Sequence, residues 1–367
     1  MIILAEKTDL MSRLNTVLKA VPVRTSFPIM ECILVDASQG IITLTANDSE
    51  FGIETVLDGT IVEPGIVAIE AKIFSDIVRN LPDDSVEIVV DSSNLARIRC
   101  GESVFNIACR DAYDFVRLPE VDRSRMIRLS QFSLKEIIRQ TIFSTADNEN
   151  NLLMSGEYFE VKGNILRVIS LDGQRISIRK IELKESYEDA KIVIPGRALN
   201  EISKILGGGA DEDASIYFTD NLVLFEFGDT KVVTRLIDGE YFQVDRMISG
   251  DYSTKIRINK RSLQECIERA SLLVRESDRR PVIINIIEDR MEISIKSSLG
   301  SMNEKIGVDR EGRDLMIGFN PRFVLDAVRA VDEEEVSIYF TSARAPFIMK
   351  NDEESYIYLI LPISFNM

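Results

Sequence analysis

Histidine does not occur among the 367 residues, tryptophan does not occur either, and cysteine is confined to four positions. Without histidine there is no Ser-His-Asp or Cys-His catalytic arrangement, no His-ligated zinc and no imidazole general base. Carboxylate chemistry and lysine nucleophiles are what remain for an enzyme. Cys32, Cys100, Cys109 and Cys266 form no Cys-x-x-Cys pair. They are too sparse for a secreted disulfide framework and are expected as reduced core or strand residues. With no tryptophan, a stacking platform for unpaired bases is not expected. No apolar run approaches the roughly 18–20 residues that span a bilayer. The opening MIILAEKTDLMSRL has neither the basic head nor the small-residue cleavage site of a signal peptide. A cytoplasmic protein with no membrane partner is expected.

Positive charge is also in deficit, with 44 Lys and Arg against 60 Asp and Glu and a net charge of −16. A uniformly acidic surface repels a phosphate backbone, so where the cations sit matters more than their number. What is present is a globular composition, 45% apolar and 28% charged, in a chain long enough for two to three domains.

One unit is written three times along the chain. Its first half begins MIILAEKTDLMSRLNTVL (1–18), MIRLSQFSLKEIIRQTIF (126–143) and KIRINKRSLQECIERASLL (255–273). Alternating apolar residues (Ile127 and Leu129, Ile256 and Ile258) predict a half-buried strand. A helix follows with apolar spacings of three and four, as in Leu10, Leu14 and Val17, then Leu134, Ile137 and Ile138, then Leu263, Ile267 and Ala270. Ser133 and Ser262 stand where N-caps are expected. The second half begins IVAIEAKIFSDIVRNL (66–81), KIVIPGRALNEISKIL (191–206) and DLMIGFNPRFVLDAVRAV (314–331). It reads as a strand, a two- or three-residue corner and a helix whose first core face is Ile73, Ile77 and Val78. Strands VEIVVD (86–91), ASIYFT (214–219) and VSIYFT (336–341) come next, and equivalent points recur about every 125 residues. The expected class is α+β: three domains, 1–121, 126–247 and 252–367, each with two helices packed on antiparallel strands.

Each of the six helical segments carries a net charge of +1, so the remainder of the chain is more acidic than the total of −16. Helices with that bias on a common surface suit loose contact with phosphates and no base reading. Other signals fail. Gly207–Gly209 lacks the P-loop pattern and runs into Asp211, Glu212 and Asp213, so a helix end and turn is expected there. The acidic stretches 211–213 and 332–335 lack EF-hand spacing. Asp172-Gly173 and Asp238-Gly239 are hairpin-turn signals.

Several strings, in order over the whole chain, resemble the bacterial DNA polymerase III beta subunit, the sliding-clamp family. They include Arg24-Thr-Ser-Phe-Pro-Ile, Leu44-Thr-Ala-Asn-Asp, Ser170-Leu-Asp-Gly-Gln-Arg, Ile194-Pro-Gly-Arg-Ala-Leu, Thr234-Arg-Leu-Ile-Asp-Gly, Gly318-Phe-Asn and Tyr358-Leu-Ile-Leu-Pro. The resemblance implies a non-enzymatic processivity factor without cofactor or metal. It further implies a three-domain crescent that dimerises head to tail into a pseudo-sixfold ring around double-stranded DNA.

By position, the resemblance assigns the dimer interface to Phe105 and Ile107 against Leu272 and Leu273, with Glu102 and Lys305 as an opposite-sign pair. It assigns DNA contacts to Arg24, Lys72, Arg79, Asn148, Arg197 and Lys204. A groove for short peptides of the polymerase III alpha subunit, the clamp loader and other partners is assigned in three stretches. They are Met154, Leu171, Gly173, Gln174, Arg175 and Ile176; then Phe242 and Met247; then Asn320, Phe323, Leu359, Leu361, Pro362 and Ile363. Gln174 replaces the family's usual histidine, Phe242 a usual proline, the loop 147–152 lacks an arginine often found there, and the chain runs on past the common ending. Two other classes compete: an acidic-site metal-dependent hydrolase, which requires Asp and Glu at ligand spacing, and a repeat-built interaction scaffold unrelated to DNA.

Overall fold

The structure is a computed structural model that describes residues 1–146, 151–248, 250–274 and 281–365. Among the described residues the chain forms six α-helices, and every strand pairing is antiparallel. The helices are α1 (Lys7–Val17), α2 (Ala71–Asn80), α3 (Gln131–Arg139), α4 (Gly196–Ile205), α5 (Lys260–Ser271) and α6 (Pro321–Ala330). None is long and apolar enough to cross a membrane.

Each helix buries the face that its apolar spacing marks: Leu10, Leu14 and Val17 on α1, and Leu263, Ile267 and Ala270 on α5 are buried. On α2 the inward face is Phe74, Ile77 and Val78, while Ile73 is 43% exposed. The expected core position therefore shifts by one residue. The caps also lie earlier than expected. Ser130 Oγ accepts from the Ser133 N–H at 3.1 Å and Asn259 Oδ1 accepts from the Ser262 N–H at 3.0 Å, so Ser133 and Ser262 are capped rather than capping. The cause is that strands run almost directly into helices, with no two- or three-residue corner: Ile66–Glu70 abuts α2, and only Asn320 separates Leu315–Phe319 from α6. Glu70, with both carboxylate oxygens, and Asn320 cap these two helices.

The chain divides into two compact units, Met1–Leu134 with Glu201–Leu236, and Lys135–Asn200 with Ile237–Met367. The first holds a five-stranded sheet whose edge is Ser103–Ala108, and an eight-stranded sheet. In the eight-stranded sheet Thr230–Arg235, of the second repeat, pairs with Phe51–Leu57, of the first. The second unit holds a seven-stranded sheet in which Tyr356–Ile360, of the third repeat, pairs with Arg175–Pro195, of the second. Its four-stranded sheet ends on the edge strand Gly300–Gly307. The last strand of one repeat is thus zipped onto an inner strand of the repeat before it, the fourth strand of the first repeat and the third of the second, where the one long strand Gly156–Leu171 covers two places, and the central repeat contributes strands to both units. The central repeat also replaces several short strands with two long ones, Gly156–Leu171 and Arg175–Pro195, joined at Asp172-Gly173 with Gly173 at φ +85°. Asp238-Gly239 is not a hairpin; the chain passes from it to a 3-10 turn, Val244–Met247.

One core group is out of keeping with its surroundings. Glu157 is fully buried and neither carboxylate oxygen has a hydrogen-bond partner; the nearby Thr141 hydroxyl donates to the Ile137 carbonyl at 2.6 Å. Burial pushes the Glu157 carboxyl well above the usual glutamate value, only partly opposed by Thr141. A carboxyl neutral when folded and ionised when unfolded destabilises the fold as pH rises from about 4.3, the unfolded value, to the raised folded value. Glu157→Met is therefore expected to raise stability at pH 8 by about 1–3 kcal/mol, the range for an unsatisfied buried polar group. Thermal melts at pH 5 and 8 check this: the gain is larger at pH 8, and an equal or reversed effect refutes it.

Candidate functional site

The second unit brings residues assigned to the peptide groove together around Arg175. This side chain sits in a pincer: Nε donates to Asp172 at 2.9 Å, one terminal nitrogen donates to Asp326 at 2.7 Å, and the other donates to the Phe143 carbonyl. Its guanidinium carbon lies 4.3 Å from the Phe323 ring centroid and 5.5 Å from that of Phe143. A planar cation stacked on two rings and held by two carboxylates is a rigid support. Asp172 also accepts the backbone N–H groups of Gln174 and Arg175, so one aspartate shapes both the turn and the guanidinium.

Beside Arg175, Leu171, Ile176 and Leu359 form the buried floor of an apolar cluster, against which Met154 and Phe242 pack half-buried. Ile176 and Leu359 are direct cross-strand partners, and the Leu361 N–H donates to the Gln174 carbonyl at 2.9 Å. Leu361 and Met247 are left 41% and 52% exposed. Phe323 belongs to the other core cluster of this unit and reaches the groove through Arg175, while Asn320 caps the helix that carries it. The tail continues along the Leu315–Phe319 strand: the Ile363 N–H donates to the Gly318 carbonyl at 2.8 Å. A Cβ on Gly318 would come within 2.8 Å of the Phe365 ring, so the extension Ser364–Phe365 is laid on Gly318, and only a glycine leaves room for it. An apolar floor with exposed Leu361 and Met247 beside a fixed aromatic ring has the chemistry to take apolar side chains. Asp326 and Phe143 have no assigned role in the sequence reading, and Asp172 is marked there only as a turn residue. Asp326 had a legible signal, standing three residues after Phe323 on the same helix.

The cations are arranged differently from a bare basic surface. Arg24 and Lys72 are exposed. Arg79 pairs with Asp76 at 3.2 Å and Lys204 with Glu201 at 2.6 Å, both one turn away on their own helix. Arg197 is exposed on α4, and Asn148 lies outside the described residues. Several further helix cations are likewise engaged, including Arg139 with Glu136 and Asp332, Arg269 with Glu304, and Arg329 with Glu268. The bonds to Glu136 and Glu304 hold the Arg139 and Arg269 guanidinium groups above the usual arginine value. An anion approaching Arg79, Lys204, Arg139, Arg269 or Arg329 has to compete with these carboxylates.

At the ends of the repeat series, Phe105 on the edge strand Ser103–Ala108 is 39% exposed beside Val104 at 50%, whereas Ile107 is buried in its own sheet. Leu272, just past α5, is 78% exposed, and Leu273 packs partly against the third repeat's core. Glu102 and Lys305 are both exposed. Among the described residues no group of three or more Cys, Asp or Glu is placed to hold a metal ion.

Comparison with known proteins matches three family models in succession. They are the DNA polymerase III beta subunit N-terminal domain at residues 1–119, its central domain at 128–243 and its C-terminal domain at 245–364. The beta sliding clamp of Staphylococcus epidermidis is 35% identical over 363 residues, 96% of each chain, and that of Staphylococcus aureus 34% over the same span. Among solved structures, a putative DNA polymerase III beta subunit from Eubacterium rectale is 56% identical with a TM-score of 0.96. The DNA polymerase sliding clamp from Bacillus subtilis is 33% identical, also with a TM-score of 0.96, and each of these matches covers 100% of both chains.

Proposed function

Since the chain belongs to the DNA polymerase III beta subunit family and is a non-enzymatic processivity clamp of DNA replication, we propose that two copies close head to tail around duplex DNA. The observation that carries this reading is the repeated junction. Twice within the chain, the last strand of one repeat pairs with the strand in the fourth place of the repeat before it, which is the third by count in the central repeat because Gly156–Leu171 covers two places. The unused partners of that scheme are Ser103–Ala108, the last strand of the first repeat, and Gly300–Gly307, the fourth strand of the third, and both are sheet edges. Unpaired edges of opposite kind at the two ends of a repeat series favour a heterologous contact that closes. Phe105 and Leu272 supply apolar surface there, with Leu273 behind them and Glu102 and Lys305 at the rim.

Arg24, Lys72, Arg79, Arg197 and Lys204 are the proposed DNA contacts, together with Asn148. Because internal carboxylates already engage Arg79 and Lys204, these contacts are weak and exchange readily. A ring needs no more than that, since topology holds it on and loose phosphate contacts let it slide. Changing Lys72 to glutamate is expected to weaken equilibrium binding of duplex at low salt several-fold and to flatten the salt dependence by about one counterion. A fluorescence titration at two salt concentrations reads both quantities, and an unchanged slope removes Lys72 from the contact set. The groove takes short apolar peptides of the polymerase III alpha subunit and the clamp loader, and the protein works in the cytoplasm.

The deciding test is retention. Loaded by its clamp loader on a nicked circular plasmid, the protein is expected to co-elute with the circle on gel filtration and to be lost once the plasmid is cut. Equal loss from circle and linear DNA refutes the ring.

A further inference from the structure

Next to the groove lies a cavity of about 220 Å³, roofed by Gly250–Tyr252 and floored by the strands Glu335–Phe340 and Phe347–Lys350. Two of its residues, Ile348 and Tyr339, also belong to or pack on the apolar cluster that floors the groove, and Ile348 is the direct cross-strand partner of Leu359. Groove and cavity therefore share a wall. The chemistry of the cavity is different. Tyr252 meets Tyr339 edge to face at 5.2 Å, and two ammonium groups, of Lys255 and Lys350, each lie 5.4 Å from the Tyr339 ring centroid.

The two lysines are not equivalent. Lys350 is already paired with Glu354 at 2.5 Å. Lys255 is partly buried and forms no direct ion pair among the described residues, with Glu311 its cross-strand partner. Desolvation pulls its pKa down, but Tyr339, Glu311 and Asp352 outweigh this and hold it above the usual lysine value, so the group is charged. A partly buried ammonium with no carboxylate in direct contact, at the wall of a cavity, has hydrogen-bond capacity left for one further anionic group. Asp251 and Asp352 also line the cavity and disfavour a highly charged ligand such as a phosphate.

We propose that this cavity is a second subsite of the peptide groove, in which the Lys255 ammonium holds a single acidic side chain of the docked peptide between Tyr252 and Tyr339. The proposal rests on the groove reading given above and adds a charge requirement to an otherwise apolar motif.

The test uses the full chain and a displayed library of random 16-residue peptides, with enriched peptides then made with a fluorescent label and titrated by anisotropy. Enriched peptides are expected to carry apolar anchors and, at a constant spacing from them, an aspartate or glutamate. Replacing that acid by alanine is expected to weaken binding to the unmodified protein about tenfold, and binding to Lys255→Ala by less than about twofold. Lys255→Glu is expected to prefer a peptide with lysine at the same position. Enrichment without a preferred acid, or an acid effect that persists in Lys255→Ala, overturns the subsite and leaves the groove standing. If Leu361→Asp binds the same peptides as tightly as the unmodified protein, the groove reading itself falls, and the subsite with it.

Discussion

Phe105→Asp and Leu272→Asp, each made alone, are expected to halve the molar mass in solution to the 41.5 kDa of one chain. Both side chains are exposed in the isolated chain, at 39% and 78%, so the folded protomer does not depend on them. Leu273 is a poorer choice because it packs partly against the third repeat's core. A charge at the centre of a small apolar contact costs roughly 2–4 kcal/mol, about thirtyfold to nearly a thousandfold in affinity. In a ring of two identical chains each substitution strikes both junctions. Mixing the two variants gives a sharper result. One junction then carries both aspartates while the other carries neither, so a mixture of two monomeric proteins is expected to recover the dimer mass as an open pair. Light scattering on the separate and mixed proteins reads this directly. A dimer that survives either substitution, or a mixture that stays monomeric, rules out the head-to-tail contact.

The second large effect is expected in the groove. Leu361→Asp puts a charge on an exposed apolar side chain whose backbone N–H is tied to Gln174, and Phe323→Ala removes the ring stacked on Arg175. Each is expected to weaken binding of the polymerase III alpha subunit about a hundredfold, as loss of a central anchor does. The dimer mass and retention on circular DNA should be unchanged. Arg175→Ala is expected to be as severe for a different reason: it leaves Asp172 and Asp326 without their shared cation and frees the Phe323 ring. Calorimetry with the alpha subunit separates these outcomes from a folding defect, since melting temperatures stay close to the parent for Leu361→Asp. Full-strength binding by both Leu361→Asp and Phe323→Ala places the peptide elsewhere.

The two effects depend on different parts of the chain, and that separation reflects the repeat. In the proposed ring, closure uses the strands left over at its ends. The proposed partner site uses the internal junction that, among the described residues, has a half-open apolar cluster, an exposed leucine and an aromatic ring braced by Arg175. At the other junction Gly52 stands across from Val233, and a Cβ there would come within 2.2 Å of Leu118, so the Leu118 side chain covers the sheet.

Much of this was determined by the sequence alone. The absence of histidine removed most catalytic chemistry. The threefold recurrence set the α+β class, and apolar spacing located all six helices, because a helix or strand writes its buried face into the side chains a few residues apart. Errors at this level were local: Ile73 for Phe74 as a core position, a hairpin expected at Asp238-Gly239, and caps assigned three residues late at Ser133 and Ser262 because direct strand-to-helix passage leaves no corner to mark.

What only the tertiary structure decided is whatever long-range pairing controls. Backbone N–H and C=O groups are the same in every residue, so nothing in the composition of Thr230–Arg235 or Phe51–Leu57 announces that they pair across a repeat boundary. The same holds for charge. Counting gave each helix a surplus of one cation, but packing and helical turn geometry put a carboxylate in contact with Arg79, Lys204, Arg139, Arg269 and Arg329, while Lys255, on the strand Thr254–Asn259, has none in direct contact among the described residues. Which cations remain available for a ligand is a matter of distances of a few ångströms between residues far apart in the chain, and those distances exist only once the sheets have closed.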